Sequence, residues 1–414
     1  MSSGQGPLSF PAYRRLFIAR AVSSAGSYMQ IVAATWFVYK LTGSAASVGL
    51  LSALALGPSI VGGPIGGALV DRYDPRRLAI VLYVLQAIPA AIMAILDFTG
   101  ELPLGWLYAL VFAGAVPYSL NCPVISLVGP YTVPEEYRQA ALAQSSMMFN
   151  LTRLAGAVIG GFMVHWIGIG SALAFNAASY VLVALVLAGT TLLSEVRPAA
   201  EAAEQEQASP QTATDSSALA FVRLAAVGVG VFFVFIAPVE QLMPTVAEEH
   251  GMTAAAVGLL IGAIGLGAIL ANPIIARAAD PANRRRLMAV GLFLAAPGMI
   301  ELAVTPRHGM FVDLMGAMLI GFGWEFVFVG GQTTVAIEVP PTVRGRMMGL
   351  FFVLVTATTA LGAVMLGVLI SRWGMMTTFL ATAVAVVLAG VALLAVGLAP
   401  FAIGRGRRGE ESAA

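Results

Sequence analysis

Twelve stretches of the sequence, at roughly 15–39, 46–70, 78–98, 102–128, 141–166, 171–193, 219–246, 254–279, 287–305, 310–337, 347–371 and 375–398, are apolar and do not alternate with polar residues. About 20 consecutive apolar residues cross the roughly 30 Å hydrocarbon core of a bilayer as an α-helix. In lipid a helix pairs its own backbone groups, and only a closed barrel offers another solution. A barrel would show segments of about 10 residues alternating in polarity. The runs therefore predict an all-α membrane protein of twelve transmembrane helices. Composition agrees: 59% of the 414 residues are hydrophobic, only 10% are charged, and the mean hydropathy is +0.88. A soluble domain carries about 25% charged residues to cover its surface.

Several function classes are excluded. A net charge of +1 supplies no basic field for nucleic acid. The single cysteine, Cys122, rules out an internal disulfide and a multi-cysteine metal site. No metal site or cofactor is expected, and His165, His250 and His308 are expected at the surface near span ends. "GGPIGG" lacks the lysine and strand of a phosphate loop, and no Walker motif marks an ATP-driven pump. No Ser/His/Asp or Cys/His set suggests an enzyme, so no catalytic residue is assigned. The first apolar run is too long for a cleaved signal and should be retained.

Residues 194–218 are polar and rich in Ala, Glu, Gln and Ser, the composition of a flexible linker. The expected organisation is a six-helix bundle over 1–193, this linker, a second bundle over 219–400, and a tail over 401–414. Arginines cluster on one side of the predicted spans, among them Arg72, Arg76, Arg77, Arg138, Arg286, Arg344 and Arg346, whereas Lys40, Arg307 and Arg372 fall on the other. The positive-inside rule puts the richer side, with both termini, in the cytoplasm.

The two halves repeat. "VGLL" occurs at 48–51 and 257–260, an offset of 209, and the same offset relates Asp71 to Asp280 and Arg76–Arg77 to Arg285–Arg286. A second register, offset by 206, relates Gly156, Ala157 and Gly161 to Gly362, Ala363 and Gly367. Two parallel six-span repeats are the mark of a secondary transporter with a midplane site.

The loop "GGALVDRYDPRR" (66–77) packs two acids and three arginines between two spans. Its Gly67, Leu69, Asp71, Arg72, Arg76 and Arg77 resemble the signature between the second and third helices of the major facilitator superfamily. "GSYMQIVAATWFVYKLTGSAASVGLL" (26–51), "NLTRLAGAVIGGFMVHWIG" (150–168) and "VPPTVRGRMMGL" (339–350) resemble the branch holding the enterobactin exporter and the macrolide and multidrug efflux proteins. The resemblance implies two six-helix bundles around a substrate cavity and a cytoplasmic gate of Gly67, Asp71, Arg72, Arg76, Arg77, Asp280, Arg285, Arg286, Arg344 and Arg346. It also implies a bacterial inner-membrane efflux antiporter. Asp74 stands where the signature usually has Gly, Pro75 where the branch often has Arg, and Ala157 where the fifth-helix antiporter motif has Pro. The fourth span lacks the arginine that many proton-coupled drug antiporters carry there.

Ionisable groups inside a membrane cost about 2.5–3.5 kcal/mol each at a helix centre, so each needs an interior role. Glu325 lies deep in the tenth span and Glu240 in the outer half of the seventh, and both are proton-coupling candidates. Hydrogen bonding between helices is the competing role for each. Arg153 and Asn150 share a face of the fifth span and could hold a substrate anion or meet a carboxylate from another helix. Gln30, Trp36, Asn121, Gln241, Phe328 and Gln332 complete the candidate cavity, with Trp324, Phe351 and Phe352 as further walls. Glu301, Asp313 and Asp97 lie nearer span ends, where surface or structural roles are expected. The reading is a proton-coupled exporter of an amphipathic small molecule, a drug, siderophore or related metabolite, working as a monomer with membrane lipid around it. An importer on the same fold and a non-transporting sensor or partner-binding protein stay open as alternatives.

Overall fold

The structure, a computed structural model, describes residues 6–70, 72–190, 216–277, 281–304, 309–339 and 341–398. The described residues are helical throughout, with no strand. The helices are α1 (Pro11–Thr42), α2 (Ala45–Leu56), α3 (Ser59–Val70), α4 (Pro75–Phe98), α5 (Leu104–Val128), α6 (Arg138–Trp166) and α7 (Ile169–Ala188). They continue as α8 (Ser216–Phe235), α9 (Met243–Glu249), α10 (Ala254–Arg277), α11 (Pro281–Val304), α12 (Met310–Glu338), α13 (Pro341–Trp373) and α14 (Met375–Leu398). Prolines open α1, α4, α11 and α13, where the missing N–H is not needed. Gly43 ends α1 in the left-handed region, φ 59°, with its N–H donating to the Tyr39 carbonyl.

Among the described residues, ten spans are long and apolar enough to cross a membrane, eleven when one bent pair is counted. α1 is long enough at 32 residues, about 48 Å at 1.5 Å per residue, but Arg20, Ser23, Ser24, Ser27 and Gln30 dilute its apolar character. The run at 219–246, expected as one helix, is broken. α8 and α9 meet through a 3-10 turn, Ala237–Glu240, and the segments on either side are bent by 52°. Pro238 and Pro244 account for this, since each lacks a backbone donor and clashes with the preceding turn.

Within residues 6–190, α1 packs on α6 and α7, α4 on α5 and α7, and α3 on α5; within 216–398, α12 packs on α10 and α11, α11 on α14, and α8 on α13. Two long contacts join the halves of the chain: α6 with α10, and α2 with α13. They are built from the repeated residues. A methyl placed on Gly49 would meet the Ala363 carbonyl oxygen, and one on Gly258 would meet that of Ala157. Gly367 stands in the same relation to Ala45, at 2.5 Å, as Gly161 does to Ala254, at 2.8 Å. The offsets of 209 and 206 turn each contact into its counterpart. Small residues let helix backbones approach where lipid offers no hydrophobic drive.

These crossings lie toward the end of the helices that carries Lys40, here the far end. At the opposite, basic end, Gly67, Gly345 and Gly349 have nothing within 4 Å of a built Cβ. One stripe of α5 shows the same polarity. Val111 and Ala115 are buried, whereas Tyr118, Cys122 and Ser126 continue the face and are exposed. On α10, Ala254–Gly258 are buried and Asn272–Ile274 exposed. The glycine crossings close the halves at the far end, and these basic-end positions lie open. In a Cys122→Ser background, Gly49→Val or Gly258→Val should splay the far end and render Ala45→Cys, at a buried position, reactive to a membrane-impermeant thiol reagent. Unchanged protection would contradict this packing.

Candidate functional site

The break in the α8–α9 span places Glu240 inside the protein, 5% exposed. Across the divide between the halves, α6 presents Asn150 and Arg153 on one face. The Arg153 guanidinium donates from Nη2 to Glu240 Oε2 in a short ion-paired hydrogen bond, with both side chains buried. It also lies over the Trp324 ring, 4.5 Å from the centroid. Trp324 is held edge-on by Phe233 of α8, ring centroids 5.1 Å apart. Three elements from both halves thus converge on one guanidinium.

Glu325 follows Trp324 on α12 and is also buried, 6% exposed. Asn272 of α10 donates from Nδ2 to Glu325 Oε1 at 3.2 Å and to its own Ala268 carbonyl at 3.1 Å. Asn150 is within hydrogen-bonding reach of Glu325, and Arg153 acts on it through space. Tyr28 of α1 faces Arg153 and Glu240 and meets Phe149 edge-on at 6.0 Å. The cluster therefore holds one fixed positive charge and two carboxylates. Only Glu240 has the cation bonded to it; Glu325 has neutral amides. Arg153 Nε is buried with no hydrogen-bond partner.

The other candidate positions divide. Phe328 joins an aromatic wall with Phe233, Phe351 and Phe352, at 6.1, 5.7 and 6.2 Å. Gln332 is half-buried on the same face, and Gln241 is half-buried in the break. Asn121 is 3% exposed and its Oδ1 lacks a hydrogen-bond partner. Gln30 is not in the cluster; its Oε1 accepts from Asn176 Nδ2 at 2.7 Å, a bond between α1 and α7. Trp36 sits at the far end, with the Lys40 ammonium 5.4 Å from its ring centroid. Sequence reasoning missed Tyr28 and the phenols Tyr83, Tyr118 and Tyr180, which surround Cys122; nothing in their spacing distinguishes them from packing residues.

At the basic end, Asp71 and Asp280 lie outside the described residues, and so does the side chain of Arg285. Arg72, Arg286 and Arg346 are exposed, Gly67 half-buried. Arg76 caps α7: its Nε donates to the Leu187 carbonyl at 2.7 Å and its Nη2 to that of Ala188. A cation there satisfies the open carbonyls and the negative helix end. Arg344 Nε reaches the Val339 carbonyl in its own half, at 3.4 Å. Asp74 has a clear local role. It is the N-cap of α4, its Oδ1 accepting from Arg77 N at 2.8 Å, with Pro75 at the first helical position. The two residues that depart from the loop signature form a helix start. Asp97 likewise accepts from Gly170 N, at 2.7 Å, where α7 begins.

One expectation is overturned. His250 is not a surface residue: its side chain is 1% exposed and faces the equally buried Asp313 at 3.2 Å. The break in the seventh span folds His250 inward, which a continuous helix would not do. Asp74→Ala should lower stability by about 1 kcal/mol, read by thermal unfolding, and leave transport per folded molecule unchanged. Lost transport at wild-type stability would make Asp74 part of the gate instead.

The profile of the transmembrane secretion effector family matches residues 2–404. The chain is 20% identical over 369 residues to macrolide efflux protein A of Streptococcus pyogenes, covering 88% of this chain and 91% of that protein. It is 27% identical over 401 residues to the enterobactin exporter EntS of Shigella boydii, covering 94% and 90%. In fold it resembles the nucleoside transporter NupG, TM-score 0.71 at 13% identity, with 93% and 98% covered. It equally resembles a bacterial homologue of the human lysosomal transporter Spinster in an inward-facing, unoccupied conformation, TM-score 0.72 at 16% identity, with 94% and 97% covered.

Proposed function

We propose that this chain, which belongs to the transmembrane secretion effector family of the major facilitator superfamily, exports an amphipathic small molecule in exchange for protons. It is a multi-pass membrane transport protein, not an enzyme, and its relatives are efflux transporters. The finer reading takes α1 as a further span, giving twelve, and the chain's halves as two bundles that rock about the Arg153 cluster. The crossing of repeated glycines supports it. With the arginine-rich end in the cytoplasm of a bacterial inner membrane, the described state is open to the cytoplasm, ready to load an exported substrate.

The observation that carries the coupling is the charge count. Arg153 neutralises one carboxylate, and its bonded partner is Glu240. Glu325, held by Asn272, is the group left to exchange a proton, because an unpaired buried carboxylate is costly. Among the two carboxylate candidates, Glu325 is therefore the proton carrier and Glu240 the fixed partner of Arg153. An aromatic wall of Phe233, Phe328, Phe351 and Phe352 beside polar amides suits an amphipathic ligand. Substrate entering from the open side meets Glu325 and displaces its proton; the far end then opens, and a proton from outside resets the site.

The test uses everted vesicles with an acid interior and two trial substrates, a macrolide and enterobactin. Wild-type protein should accumulate one of them, and collapse of the pH gradient should stop it. Glu325→Gln should retain binding and lose gradient-driven accumulation to background. Undiminished accumulation by Glu325→Gln would remove the coupling role, and depletion of the vesicle interior would reverse the direction.

A further inference from the structure

All ten tyrosines of the chain lie within residues 13–180, and the second half has none. Tyr118 of α5 lies near three others, Tyr28, Tyr83 and Tyr180, whereas the phenylalanine wall belongs to α8, α12 and α13. The Tyr83 and Tyr180 ring centroids are 6.1 Å apart, and Tyr180 Oη is 3.1 Å from Ser27 Oγ of α1. Tyr118 and Cys122, one turn apart on α5, are within hydrogen-bonding reach of each other. Both are exposed on the face that runs to the open basic end. Asn121 beside them reaches Tyr83; it is 3% exposed, and its Oδ1 has no partner.

The charge of this wall comes from one residue. α5 and α7 hold no charged side chain, and α1 holds only Arg20 between Arg15 and Lys40. Arg20 is half-buried and acts through space on Tyr83 and Cys122. Its Nη1 lies 3.2 Å from a Cβ built on Gly129, at the end of α5. Among the described residues no carboxylate pairs with it. Deeper in, the charge of Arg153 is met by Glu240. A half-buried guanidinium without a counter-ion offers a planar fork of N–H donors that fits a carboxylate.

We infer that this phenol-lined wall is a subsite for the head of the exported molecule, and that the head is anionic and carries a hydroxyl. The inference rests on the export reading and adds the charge of the ligand. The acid group lies on the Arg20 guanidinium in charge-assisted hydrogen bonds. The hydroxyl donates to Asn121 Oδ1, an acceptor that is costly to bury unpaired. An ammonium head finds no counter-charge in this set. Arg20 and Tyr28, which faces Arg153, are eight residues apart on α1, about 12 Å along its axis. The head therefore sits on Arg20 while the apolar body reaches the midplane, Glu325 and the phenylalanine wall.

Cys122, the single cysteine, reports occupancy of this subsite. Its alkylation by N-ethylmaleimide is followed on the full chain in phosphatidylcholine nanodiscs, with no proton gradient. The probes are a hydroxynaphthoate, its neutral amide and a naphthylmethylammonium. The acid should protect Cys122 at a concentration about tenfold below that of the amide, the scale of a hydrogen bond gained to a charged group, and the ammonium should not protect. Arg20→Gln should bring acid and amide level, and Arg20→Lys should keep the acid ahead; the comparison of probes on the native chain needs no variant to fold. Equal protection by acid and amide, no protection by the acid, or an acid preference surviving in folded Arg20→Gln would overturn the proposal. Protection by phosphatidylglycerol added to the discs, and not by the naphthoate, would mark a lipid-headgroup site and overturn it as well. None of these outcomes bears on Glu325, whose role is read from gradient-driven accumulation.

Discussion

The Arg153–Glu240 ion pair is the constraint around which the rest of the molecule is arranged. A guanidinium and a carboxylate from different halves of the chain meet in a place that water does not reach freely. Such a pair is weak evidence for stability, since desolvation offsets attraction, but loss of one partner costs about 3–5 kcal/mol. Neither half can therefore withdraw from the other at this level without a replacement charge. The break at Pro238 is what lets Glu240 reach across, and Trp324 keeps the guanidinium in place through its ring face. A group that changes charge beside this pair, the role proposed for Glu325, changes the balance that holds the halves together.

The repeated glycines give that balance something to act on. Gly49 against Ala363 and Gly258 against Ala157 are one contact made twice, so the far end closes through two matched crossings. Close packing of backbones is bistable rather than elastic. Either the small faces engage or they part, and in the proposed cycle this converts a local charge change into a rigid movement of helices.

Much of this was legible in the sequence. Long apolar runs fixed the helices, and the offsets of 209 and 206 picked out the residues that later prove to touch. Arg153, Glu240 and Glu325 stood out because ionisable groups in a membrane are expensive. Their mutual arrangement was not legible, because partners from α6, α8–α9 and α12 are brought together by packing and not by spacing. The bond from Asn176 to Gln30 was likewise not legible, since it joins α1 and α7 across the fold. His250 was read as a surface residue because it lies near the outer end of a span; packing against Asp313, which spacing does not show, buries its side chain instead. Asp74 was read as a departure from a signature when it was a helix cap.

The central claim is that the midplane cluster, with one arginine and two carboxylates, holds a single exchangeable proton on Glu325. Difference infrared spectroscopy across a pH step reads this directly. The account predicts one protonated-carboxyl C=O band that disappears on raising the pH and is absent from Glu325→Gln. A band that survives Glu325→Gln, or no such band in the native cluster, would contradict it.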